Sequence, residues 1–412
     1  MVITPALRRR TLASLAVGQI VASAAVTAGI TVSALVAEDM LGDDTWAGIV
    51  AAFFTAGAAS SSFLLARYMS RRGRRPGLRL GYLIGLVGTV VAFTGIQIDV
   101  LAVFLIGSML FGAAQASTLQ ARFAAADLAE PHQRSLYIST LVWTGAIGSV
   151  TGPLLVGWAK TTGENRGFEE LAGPYGIAAA LLALAAVVVT VLLRPDPLVV
   201  SGGIGGASAK LPPLSESLRL IWSGPATRLA LIAMAMSQAV MVAVMTMTPS
   251  HMKEHGHDVD LVGQIFSIHV AGMFLFSPLV GWATDRIGRR PAIMVGSATL
   301  VAATALTALA AGRTGFLVPG LFLLGLGWNF GLIAGSALLT ESVDDTNRVG
   351  VQGSADMIMS ICGGIGGLSS GVVKSMVGFH VLSIIGLAAA FSVLAAVTLD
   401  RSRDEPAVAA VD

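Results

Sequence analysis

Twelve apolar runs recur along the 412-residue chain, at about 11–37, 45–67, 79–97, 100–123, 134–159, 172–194, 226–248, 259–283, 292–312, 315–340, 351–376 and 378–399. Crossing the roughly 30 Å hydrocarbon core of a bilayer takes about 20 residues of helix. No water enters that core to satisfy backbone N–H and C=O groups, so each run must close its own hydrogen bonds as a helix. Composition agrees. Charged residues make up 12% of the chain, half of the roughly 25% usual in soluble domains. With 54% hydrophobic residues and a mean hydropathy of +0.77, too little polar surface is left to dissolve such a core. The net charge of +2 supplies no basic domain for a nucleic-acid partner. The single cysteine, Cys362, excludes a disulfide framework or a thiolate zinc cluster. The expected fold is an all-α membrane protein of twelve transmembrane helices, with lipid as its surroundings.

Basic residues orient the spans. With the N-terminus inside, the two termini and every second loop hold 21 of the 26 Lys and Arg residues, leaving Lys160, Arg166, Lys253, Arg313 and Lys374 outside. Both termini are therefore expected in the cytoplasm, in a plasma (inner) membrane. The first run follows Arg8, Arg9 and Arg10 but is too long for a signal-peptide core, and is read as an uncleaved span. Trp46, Trp158, Trp222 and Trp282 fall near span ends, where indole rings anchor at the interface. The longest polar stretch, with Pro195, Pro197, a Gly/Ser tract around Ser201–Ser208, Pro212 and Pro213, reads as a flexible linker. Its end, Leu214–Ile221, is amphipathic and is expected on the inner surface. The expected organisation is an N-terminal six-helix half (1–194), a cytoplasmic linker (195–224), a C-terminal six-helix half (225–400) and a cytoplasmic tail (401–412).

The halves repeat. Arg71-Arg72-Gly73-Arg74-Arg75-Pro76 follows the second span, and Arg286-Ile287-Gly288-Arg289-Arg290-Pro291 follows the eighth, 215 residues on. The run from Gly281 through Asp285, Arg286, Gly288 and Arg289 to Arg290 resembles the signature loop of the major facilitator superfamily, and span count, linker position and repeat resemble that family over the whole chain. The resemblance implies a secondary transporter, not an enzyme, that works by alternating access with its substrate site between the halves. It also implies that Asp285 helps latch the inner side. The first-half copy departs from the pattern, with Ala66 and Ser70 in place of Gly281 and Asp285, which puts a first-half latch in doubt.

Polar residues inside the spans are few: Gln19, Gln115, Gln238, Asn329 and Asp356 are the main ones, and no Arg/Asp/Glu relay is expected among them. Residues 234–273 hold seven of the 15 methionines (Met234, Met236, Met241, Met245, Met247, Met252, Met273) and four of the six histidines (His251, His255, His257, His269). Met241 and Met245 share a face of span seven, as His269 and Met273 share one of span eight. At about 1.5 Å per residue they form a ladder descending from roughly 5 to 21 Å below the outer surface. His251, Met252, His255 and His257 stand at its mouth, as a possible metal entry. Thioether and neutral imidazole groups suit Cu(I), and the missing carboxylates argue against hard cations. This M-x-x-x-M and H-x-x-x-M pair looks like that of the copper-importing, CalT-like branch of the superfamily, which implies Met241, Met245, His269 and Met273 as metal ligands. Copper is then cargo, and no resident cofactor and no obligate protein partner are expected.

The alternative cargo is a lipophilic small molecule exported by proton exchange. Gly148, Gly152 and Pro153 resemble the G-x-x-x-G-P motif of drug/proton antiporters, with Val156 breaking its usual ending; close helix packing explains the glycines equally well. Asp356 is a possible proton-coupling group, though an interfacial residue pairing with Arg348 is the plainer reading. The glycines of 363–371 lie inside a span and do not form a nucleotide loop; no Walker loop exists to couple ATP.

Overall fold

A computed structural model of the chain describes residues 3–41, 48–203, 213–257, 259–310 and 313–399. Trp46, most of the Gly/Ser tract with Pro212, and the tail 401–412 lie outside the described residues. The first half consists of α1 (Pro5–Leu41), α2 (Gly48–Arg72), α3 (Arg74–Gln97), α4 (Leu101–Ala126), α5 (Arg134–Glu164) and α6 (Gly173–Leu192). Two short elements follow, α7 (Pro197–Val200) and α8 (Leu214–Ser223). The second half consists of α9 (Pro225–Glu254), α10 (Val259–Phe274), α11 (Ser277–Ile287), α12 (Arg289–Leu309), α13 (Thr314–Glu341) and α14 (Asp345–Leu399).

Among the described residues, eleven helical stretches are long and apolar enough to span a membrane. One of them joins α10 and α11. The last, of 54 residues, turns back at Gly378, whose φ of 85° is open to a glycine and strained for other residues, so it supplies two crossings and brings the count to twelve. The turns inside the repeated Arg-rich loops use the same device, with φ of 99° at Gly73 and 95° at Gly288. The amphipathic segment after the linker is α8: it buries Ser217 and Ile221, and Thr227 at the start of α9 donates to the Ile221 carbonyl at 2.7 Å.

The two halves meet most firmly on the side that carries the linker. Asp285 of α11 accepts from the backbone N–H groups of Ser135 (3.1 Å) and Leu136 (2.9 Å), the exposed donors at the start of α5 in the other half. A carboxylate placed there satisfies two orphan donors and faces the positive end of the α5 dipole. Arg289 pairs with Asp285 at 3.0 Å and Glu341 at 2.8 Å, and donates to the Pro131 carbonyl across the interface. Arg286, by contrast, is exposed and lies over Trp282, outside this latch.

The first-half copy is built differently. Ser70, at the position matching Asp285, donates to its own helix at Arg67. The carboxylate at the start of α3 comes instead from Asp196 beyond α6, which accepts from Arg74 N (3.2 Å) and Arg75 N (2.7 Å) while also capping α7. Arg74 itself is fully buried, pairs with Asp127 at 2.8 Å and crosses to Gln352 of α14 at 2.7 Å. The repeat therefore keeps its arginine network in both halves, but only the second half carries a carboxylate latch onto its partner.

Gly148 and Gly152 let α5 touch α1: a Cβ at Gly148 would lie 2.1 Å from the Ile20 carbonyl, and one at Gly152 2.1 Å from Thr27 Oγ1. Close packing is thus what these glycines do here, and α5 continues as one helix through Pro153. The Gly363–Gly371 run likewise seats α14 on α9, with a Cβ at Gly366 meeting the Ala239 carbonyl at 2.7 Å.

Three outcomes follow from these contacts. Gly148→Leu should cost about 1–3 kcal/mol or more through overpacking, seen as a lower melting temperature of the purified protein. Gly157→Leu, with nothing within 4 Å of the new Cβ, should not lower it. Asp285→Asn should remove about 1 kcal/mol of capping and raise maleimide labelling of a cysteine placed at Ser139 several-fold, in a background lacking Cys362.

Candidate substrate cavity

Between the halves lies a cavity of about 480 Å³. Each bordering helix contributes one stripe at helical spacing. α1 supplies Gln19, Ser23 and Val26; α4 supplies Gln115, Thr118 and Arg122; α9 supplies Gln238, Met241 and Val242. Phe54 of α2, Phe274 of α10 and Trp328 of α13 add aromatic faces. Trp328 Nε1 donates to Gln238 Oε1 at 2.6 Å, and the Phe274 ring meets the indole edge-on at 5.8 Å. The walls extend away from the linker side as far as Ala51, Thr246 and Gly367.

Among the described residues, Arg122 is the single charged side chain in the lining. It reaches from α4 across the interface to α14, where its guanidinium pairs with both oxygens of Asp356. Its Nε donates to Ser336 Oγ of α13 at 3.0 Å, and Nη1 to the Leu119 carbonyl at 2.5 Å. Arg122 is 2% exposed and Asp356 0%. Asp356 itself does not line the cavity, so among the described residues the charged residue on the wall is Arg122.

This corrects two sequence expectations. An Arg/Asp pair does exist inside the spans, and Asp356 is not an interfacial partner of Arg348, which pairs with Asp345 instead. Sequence position hid Arg122: near the end of an apolar run, it counts as one more base of the linker-side loops. The signal was present, since a charged residue still inside the run 100–123 is costly to place in lipid and calls for a partner. The intramembrane amides fare better. Gln19, Gln115 and Gln238 all line the cavity, whereas Asn329 donates to Ser277 at 3.0 Å and ties α13 to α11.

The Met/His ladder does not stand as one column. Met241 and Met273 line the cavity, while half-buried Met245 packs against the second-half core. His269 is buried between α10 and α13, with Nδ1 2.8 Å from the Leu321 carbonyl. A carbonyl only accepts, so that nitrogen carries the proton, and Nε2 is a buried lone pair without a partner. At the end of α9, His251 stacks on Phe379 at 4.2 Å and lies 4.4 Å from the His255 ring, and Met252 is buried. His257 follows α9 and is half-buried. Among the described residues, no three His, Cys, Asp or Glu side chains converge on a metal position. The positions matching Met241, His269 and Met273 in the first half, Val26, Phe54 and Ala58, all face the same cavity.

The profile of the Major Facilitator Superfamily matches residues 15–258 and 229–411. The uncharacterized MFS-type transporter YdeG of Bacillus subtilis (strain 168) is 38% identical over 403 residues, covering 96% of this chain and 93% of YdeG. The riboflavin transporter RfnT of Brucella anthropi is 30% identical over 351 residues, 85% of either chain. Among solved structures, the Escherichia coli fucose:proton symporter FucP superposes with a TM-score of 0.75 at 14% identity, over 95% of this chain and 98% of FucP. With the latched halves, the repeated loop and the central cavity, these matches make the chain a member of the major facilitator superfamily of transporters.

Proposed function

We propose that the cargo is a small amphipathic organic molecule held in the cavity between the halves, with Asp356 as the proton-coupling group. The observation that carries this is the cavity itself. Its volume of about 480 Å³ lies within the range of small-molecule sites, far larger than a dehydrated metal ion needs. Aromatic faces at Phe54, Phe274 and Trp328 suit a ring system, and the amides of Gln19 and Gln115 suit its polar edge. The relative named for riboflavin transport supports an organic cargo with fused rings. Among the described residues the wall carries no carboxylate to receive a metal cation.

Copper remains the second reading, on one specific observation. The His269 ring is held through Nδ1 by a backbone carbonyl and leaves Nε2 bare, which is how metal-ligating histidines are oriented. Met273 lies one turn further on, with Met241 across the cavity wall.

The positive-inside count supports a plasma-membrane protein with the linker and both termini in the cytoplasm. In that frame the Asp285 latch closes the cytoplasmic side, and transport alternates between this arrangement and one in which Asp285 has left the start of α5. A proton arriving on Asp356 dissolves an ion pair that joins the halves, which is how proton binding can bias that exchange.

The test compares organic and copper cargo directly. A panel of drug-sized ring compounds, riboflavin among them, should contain members that raise the melting temperature of the purified transporter, and Trp328→Ala should abolish that rise. Cellular copper, measured by elemental analysis, should be the same with wild type and with Met241→Ala/His269→Ala. Copper that differs with wild type alone, together with a silent panel, would overturn the organic reading in favour of the metal. Arg122→Gln should destabilise by about 3–5 kcal/mol, because it leaves Asp356 buried without its counter-charge. Arg122→Gln/Asp356→Asn should recover most of that loss in a thermal unfolding cycle.

A further inference from the structure

We propose that the cargo is an organic anion that enters the cavity together with one proton, the anion taking the place of Asp356 on Arg122. This rests on the cavity being the cargo site and specifies which molecules it accepts. Three observations carry it. First, among the described residues the lining has a single charged side chain, and it is a cation whose counter-ion stands behind it, outside the wall. A cationic cargo would meet Arg122 with no carboxylate facing the cavity, whereas an anionic one meets a planar fork suited to a carboxylate.

Second, the pair is neutral as it stands, so an added anion would be one charge too many in a low-dielectric interior. A proton on Asp356 removes that excess and frees the guanidinium. The proton comes from solution on the side where the cavity is open, and the cargo's carboxylate replaces the one that was neutralised. Charge in the site is the same before and after, so anion and proton bind together and travel together, as an electroneutral symport. Drug/proton antiport requires the opposite linkage, with proton and cargo excluding one another. Among the described residues, the charged groups that act on Asp356 are Arg122 from α4 and Arg74 from the start of α3; Ser336 of α13, which shares the Arg122 guanidinium, carries no charge.

Third, the cavity holds an unmet acceptor. Gln19 Oε1 is buried in the wall without a hydrogen-bond partner, in a residue 8% exposed. Leaving such an oxygen unsatisfied is costly, and a turn of the Gln19 side chain toward the cavity would let a cargo N–H or O–H satisfy it. The cargo class that fits is therefore a ring compound with a carboxylate or similar anion at one end and a hydrogen-bond donor elsewhere.

The experiment measures affinity of the purified transporter, by quenching of tryptophan fluorescence and by thermal shift, for matched pairs of aryl carboxylates and their carboxamides between pH 5.5 and 8, where these probes keep their charge. Carboxylates should bind about ten- to hundredfold tighter than their amides, the size of a charge-assisted hydrogen bond. Their affinity should rise by up to tenfold for each unit the pH falls, reflecting one proton taken up. Asp356→Asn should flatten that pH dependence while retaining carboxylate binding. Arg122→Gln/Asp356→Asn, which leaves no orphaned charge, should erase the preference for the anion. Amides binding as well as carboxylates would overturn the proposal and leave an organic cargo standing. Carboxylate binding that weakens as pH falls would replace symport with exchange. No binding in either series would overturn the cavity reading along with it.

Discussion

Arg122 and Asp356 sit on opposite halves, and neither can be satisfied unless those halves are docked. A lone guanidinium or carboxylate in the middle of an apolar protein is expensive, and each removes that cost for the other only within hydrogen-bonding distance. The rest of the arrangement serves this contact. Ser336 and the Leu119 carbonyl take further guanidinium protons, Arg74 is held nearby by Asp127 and Gln352, and Asp285 secures the start of α5 at the surface. The cavity begins where this polar layer ends, so the layer is at once the seal on one side of the protein and the floor of the site.

The two halves share a plan and differ in their locks. Each has a buried or half-buried arginine after its Arg-rich turn, paired with an acid at the end of the next helix: Arg74 with Asp127, Arg289 with Glu341. Of the two repeated loops, the second places a carboxylate, Asp285, across the interface; in the first, the Ser70 hydroxyl turns back on its own helix. The first half therefore depends on Arg74–Gln352, a charge-to-amide contact that involves no second ion. Besides the central Arg122–Asp356 pair, separation of the halves breaks a contact dominated by a helix dipole at Asp285 and a hydrogen bond at Arg74–Gln352, so the two sides of the seal need not open with equal ease.

The cavity shows how the same repeat yields an asymmetric site. Phe54 and Ala58 face it from the first half, while their second-half counterparts are His269, turned toward Leu321, and Met273, which stays in the wall. Met241 and Met273 lie on helix stripes that face the cavity. Spacing along the helices could not show that His269 would rotate onto a neighbouring carbonyl, because that choice depends on α13 passing close by, with Gly325 admitting the backbone of α10.

The number of spans and the repeated loop follow from the sequence by itself, since lipid allows only self-satisfied helices. The amide lining at Gln19, Gln115 and Gln238 was legible for the same reason: a polar residue within an apolar run must face protein or cavity. What only the tertiary structure decided is partnership. Asp356 has Arg348 eight residues away in the chain and Arg122 more than two hundred away, and it pairs with the distant one. Helix packing decides that outcome: position 356 is buried well inside α14, facing α4, whereas Arg348 remains at the helix start beside Asp345. A charge pair across an interface is a property of how two surfaces dock, and no local pattern in either strand of sequence encodes it.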